Sequence, residues 1–175
     1  MRTPGLDEVV LPLLLAVALG VPGTDAAAGT YRVQATARLS GVPLLRTLAL
    51  RGDVVLRPGG GPRAVSARLA ARGHACELAG TLAEDGTLAF RPAQRCAIAL
   101  DDPGARGRVE ATLRSGRGRL RNGRIALELE LGLEGAVRVA TGGVPGVAAE
   151  TVVPVDGEAS VHAEGARDNS RAAER

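Results

Sequence analysis

Aromatic side chains are almost missing from this sequence: Tyr31 and Phe90 stand alone, and there is no tryptophan. The apolar 45% is therefore built from Leu, Val and Ala, which implies a slim core of small side chains. Without aromatic faces the chain has nothing to stack on bases, which argues against a nucleic-acid partner. Lysine is absent altogether, so all 22 basic residues are arginines. With the matching excess of Ala and Gly, this composition follows the codon usage of a GC-rich genome. Chemically, it leaves only guanidinium forks, which suit phosphate and carboxylate groups.

Catalytic side chains are equally sparse. His74 and His162 are the only histidines, and no Gly-x-Ser-x-Gly elbow occurs, so no nucleophile with its base is spelled out. Asp101-Asp102 precede Pro103-Gly104 and read as turn residues rather than an acid–base pair. His74-x-Cys76 offers two soft ligands without a partner cluster, too few for a metal centre. The expectation is a protein that is not an enzyme and carries neither metal nor cofactor.

One long apolar run is present, Val9 to Val21, preceded by Arg2 and followed by small residues. At about 13 residues it is too short to cross a hydrocarbon layer as a helix, and it fits the core of an export signal. Asp7 and Glu8 are unusual neighbours for such a core. Ala26-Ala27-Ala28 meets the A-x-A rule and places cleavage before Gly29. No cysteine lies just after the core, as a lipoprotein would need, and no second apolar stretch occurs, so the mature chain is expected to be soluble, not membrane-spanning, and periplasmic or secreted. An outer-membrane barrel is disfavoured, because it needs aromatic girdles and an apolar outer band.

Cys76 and Cys96 are the only cysteines, and an even count in an exported chain reads as one disulfide. Two buried thiols are the competing reading. Both share the phase of neighbouring inward residues: Cys76 with Leu78 and Leu82, Cys96 with Ile98 and Leu100. Continuing the hairpin at Asp85-Gly86 sets Cys76 opposite Ala93, and Pro92 offers a bulge to bring Cys96 into reach.

Nearly every other stretch alternates with period two, the pattern of strands with one buried face. Tyr31, Val33, Ala35, Ala37 and Leu39 form one such face; Leu48, Leu50, Gly52, Val54 and Leu56 the next. Val65 to Leu69, Cys76 to Leu82, Leu88 to Phe90 and Cys96 to Leu100 continue it. Asn122-Gly123 is a type I′ hairpin signal that sets Leu120 beside Ile125 and Arg117 beside Glu128. The inward phase slips at Ser115-Gly116, which predicts a β-bulge there. From Ile125 to Val139 the phase holds for eight positions, with Gly132 and Gly135 as a candidate corner. Beyond Thr141 the pattern weakens: Val152 to Val161 reads as an added edge strand, and 163–175 as a disordered tail.

The whole predicts an all-β chain: signal peptide 1–28, β domain 29–162, tail 163–175. Its antiparallel meander closes into a small barrel, or alternatively a sandwich. The architecture loosely resembles lipocalin and other calycin-type barrels, without their sequence motifs.

Arg51-Gly52-Asp53 spells an adhesion tripeptide, but it falls mid-strand rather than at a loop tip. Arg106, Arg108, Arg114, Arg117, Arg119, Arg121 and Arg124 crowd one segment in which Glu110 is the only acid. That segment reads as a solvated strand face partly neutralised by Glu128 and Glu130, or as a face for an anionic partner. Two functions follow. One is a barrel binding a small apolar molecule or lipid; the other is an envelope interaction module whose arginine face meets an anionic polymer.

Overall fold

The computed structural model describes residues 24–41, 47–72, 74–102, 105–141 and 149–168. They form one short helix, α1 (Thr24–Ala27), and nine strands: β1 (Gly29–Ser40), β2 (Thr47–Pro58), β3 (Ala64–Ala71), β4 (His74–Leu82), β5 (Thr87–Phe90), β6 (Arg95–Asp102), β7 (Ala105–Arg121), β8 (Arg124–Thr141) and β9 (Ala149–Arg167). All belong to one antiparallel sheet in the order β5-β4-β3-β2-β1-β9-β8-β7-β6, and β5 also pairs with β7. That extra pairing closes a ring of hydrogen bonds through eight strands, with β6 outside it. All pairings join consecutive strands, as in a meander, except two: β1–β9, which joins the first strand to the last, and β5–β7, which skips β6.

The alternation predicts the buried faces. Tyr31, Val54, Leu56, Leu78, Leu88, Leu113 and Leu127 are fully buried, while Arg32, Gln34, Thr36 and Arg38 on the opposite side of β1 are exposed. No helix interrupts 107–139. At the tip of β7 and β8, Asn122 and Gly123 take φ of 49° and 71°, as a type I′ turn demands. Leu120 faces Ile125 and Arg117 faces Glu128. The bulge lies between Leu113 and Ser115, making Arg114 the extra residue, one position before the expected slip. β8 is not split at Gly132–Gly135; it stays paired with β9 throughout.

β5 and β6 are two pieces of one strand lying along different halves of β7: Leu88 faces Gly118, and Cys96 faces Ala111. Pro92 cannot donate to a ladder, and Ala93 turns to φ 63°. Gln94 repairs the gap. Its Oε1 accepts from Ala79 N at 2.6 Å and its Nε2 donates to Ala79 O at 3.0 Å, imitating a backbone pair. Hairpin register pairs Gly80 with Phe90, so it projects Cys76 onto Gln94 rather than Ala93. The interruption brings Cys96 to Cys76 with Cα atoms 5.4 Å apart, at disulfide distance.

The C-terminal reading needs two corrections. β9 is not an edge strand but lies between β1 and β8, and it runs to Arg167, past the expected start of the tail at 163. Its inward residues are Val153, Val155, Gly157, Ala159, Val161, Ala163 and Gly165, whose small side chains weaken the hydropathic alternation. Smallness is required there: a Cβ on Gly165 would lie 2.0 Å from Arg32 O and 2.7 Å from Val33 Cγ1. Of the expected tail, 169–175 lie outside the described residues.

Candidate functional site

The seven arginines crowded in sequence are spread out in space. All are exposed, yet β7 advances about 3.3 Å per residue, so Arg106 and Arg121 lie about 50 Å apart along the strand. Arg106 and Arg108 occupy the far half, where Arg106 faces Arg138 across the pair. Arg114, displaced by the bulge, bonds Glu158 of β9. Arg117 Nε donates to Glu128 Oε2 at 2.6 Å. Arg119 and Arg121 reach the hairpin tip, where Arg121 faces Arg124. The single arginine face thus divides into a far pair, a neutralised middle and a basic tip.

The tip opens onto a depression of about 530 Å³ on the outer face of β1, β9 and β8. Arg32, Gln34 and Thr36 line it from β1, Arg124 from β8, and His162, Glu164, Gly165 and Ala166 from β9. Register explains its shape. Ala166 stands between Arg32 and Arg124 in the ladder, so a methyl group separates two long cationic side chains. A second depression of about 410 Å³ adjoins along the same strands and shares Thr36 and His162, with Arg38, Glu128, Glu130 and Ser160 around it. Together they trace a polar groove along β9.

Charge falls off along the groove. At its tip end Arg32 pairs with Asp168 at 2.8 Å, while Arg121 and Arg124 have no hydrogen-bond or ion-pair partner among the described residues. Further along, Glu130 accepts from Ser160 Oγ at 2.7 Å, and His162 Nε2 lies 3.3 Å from Glu164 Oε1. Asp85, in the turn beside Arg119, is held below the usual carboxylate range, chiefly by the hydrogen bond from Thr87 N and then by the Thr87 side chain. The tip can therefore attract and hydrogen-bond anions, whereas the inner groove, where Arg38 stands against Glu130 and Glu164, leans acidic.

Sequence reasoning placed Arg124 here but missed Arg32 and His162, because β9 was not recognised as the strand that joins β1 to β8. The Val-x-Val and Ala-x-Gly alternation from Val153 to Gly165 carried the signal. Arg51-Gly52-Asp53 lies inside β2, where a Cβ on Gly52 would fall 2.1 Å from Ala70 O, so it is ladder and not loop. No cluster of three His, Cys, Asp or Glu side chains that could hold a metal ion occurs among the described residues. Nor is any described helix long and apolar enough to cross a membrane. The Cys76–Cys96 pair is compatible with an oxidising, exported location. No protein-family model matches the chain, and no curated protein matches it in sequence.

Proposed function

We propose that this protein is an exported, non-catalytic interaction module, a small calycin-like barrel that meets an anionic polymer of the cell envelope through its outer face. The carrying observation is the groove end where Arg32 and Arg124 flank the Gly165-Ala166 floor and Arg121 faces Arg124. Arg121 and Arg124, which have no partner among the described residues, and the nearby Arg32 offer several guanidinium forks, which suit a chain of phosphates or carboxylates better than one small ion. Packing speaks against the apolar-ligand reading. A Cβ on Gly116 would already touch Leu129 and Phe90, and one on Gly118 would lie 2.5 Å from Leu127 Cδ2. Inward Leu56, Leu78, Leu88, Leu113 and Leu127 are each 1% exposed or less, which favours an interior filled by side chains over one open to a lipid.

Retention of the protein on immobilised lipopolysaccharide tests this, read as the salt concentration needed for elution. Arg121→Glu with Arg124→Glu should abolish retention, whereas Arg106→Glu with Arg108→Glu should leave most of it. Retention unchanged by the tip reversal would reduce the arginines to solvated surface.

A further inference from the structure

The A-x-A tripeptide expected to end the leader is built into the fold. Ala27, in α1, is 2% exposed and belongs to the main core cluster. Its carbonyl accepts the hydroxyl of buried Tyr31 at 2.8 Å. On either side, Arg167 near the end of β9 donates to Ala26 O at 3.1 Å and to Ala28 O. Gly29 lies so close beneath this guanidinium that a Cβ there would be 2.8 Å from Nε. Three consecutive carbonyls are thus each engaged by the folded domain.

Cleavage before Gly29 would remove all three acceptors. Tyr31 would be left with a buried hydroxyl lacking its partner, and a buried polar group without a bond is destabilising. The methyl of Ala27 would leave the core. The new α-ammonium on Gly29 would sit against the Arg167 guanidinium, placing like charges together where a carbonyl dipole now lies. A leader peptidase acts on the unfolded chain, so the motif is not shielded by folding; its product would simply be a worse domain.

We propose that the leader ends upstream of Thr24, at the small-x-small tripeptide Ala18-Leu19-Gly20, and that residues 24–28 stay in the mature protein as a plug between β1 and the end of β9. This rests on the export reading. Water adds across the Gly20–Val21 bond, leaving a carboxylate on the leader and an amine on Val21. The apolar core then runs from Val9 to Ala18, about 10 residues, within the usual length for such a signal.

The test is intact mass and N-terminal sequencing of protein recovered from the envelope fraction of cells expressing the full chain. A first residue from Val21 to Thr24 is expected. Gly29 as first residue overturns the boundary but leaves export standing, whereas an intact Met1 overturns both. Ala28→Gln in the full chain gives a second readout. It disables the A-x-A site, so processing should proceed as in the parent, and accumulation of unprocessed precursor would overturn the proposal.

Discussion

Beneath the closed part of the sheet, Leu56, Leu78, Leu88, Leu113 and Leu127 are each 1% exposed or less, while under the long ends of β7, β8 and β9 the side chains of Val109, Leu133, Val137 and Val155 keep 6 to 9%. The two groups belong to separate apolar clusters of the same sheet, and both aromatic residues lie in the first. Their difference is geometric. In the ring every strand has a paired neighbour on both sides; Gly116 lies between Leu129 and Phe90 on the neighbouring strands, and Ala27 belongs to the same cluster as Tyr31. The extension has fewer strands around it, since β3, β4 and β5 are 8, 9 and 4 residues long against 17 to 19 for β7, β8 and β9. Cys96 and Leu131 pack against both clusters, so the cysteine bridge lies at their junction.

The largest expected effect sharpens that contrast directly. Leu127→Ala in the ring should cost about 4 kcal/mol and Leu133→Ala in the extension only about 2 kcal/mol, since a site near solvent loses less transfer energy and leaves a shallower cavity. Urea unfolding of the two variants checks this; equal losses would mean the clusters form one core.

Next comes the junction. The Cys76–Cys96 bridge closes a sequence separation of 20 residues, so replacing both cysteines by serine should cost about 3 kcal/mol. Hydrogen exchange should then show β6 losing protection before β8, because β6 is held by β7 alone. Two free thiols titrated in the denatured, unreduced parent would show that no bridge forms.

The smallest effect is confined to the ring. Burial pushes the Tyr31 phenol above its ordinary value near 10, with Arg167 opposing weakly. A raised folded-state value means that Tyr31 supports the fold fully below about pH 10 and progressively less as pH climbs through that raised value. Tyr31→Phe should flatten the alkaline limb of a melting-temperature profile while leaving the order of loss between the ring and the extension unchanged. An alkaline limb that persists in the variant would place the titrating group elsewhere.

Much of this was legible in the residues. Alternation marked a strand at each of the nine places, because a half-buried strand writes its two faces into odd and even positions. Asn122-Gly123 set the register of β7 on β8, and with it the Arg117–Glu128 bond. The phase slip announced the bulge to within one residue. β9 was read too short and at an edge: Gly157, Ala159, Ala163 and Gly165 are inward beside β1, and small residues carry little hydropathy.

The sequence by itself determined the all-β class, the turns at Asp85-Gly86 and Asn122-Gly123, which side of most strands meets water, and the presence of one possible cysteine pair, because each depends on local periodicity or on a single residue's chemistry. Asp101 and Asp102, by contrast, end β6 and are not turn residues. Only the tertiary structure decided which strands meet at the seam, and three consequences hang on that pairing. β9 enters between β1 and β8, a methyl group at Ala166 comes to lie between Arg32 and Arg124, and Arg167 reaches Ala26 and Ala28. Such contacts join residues far apart in sequence, those of β9 with β1 and α1 by more than a hundred positions, and no periodicity along a chain can encode which distant strand will be its neighbour.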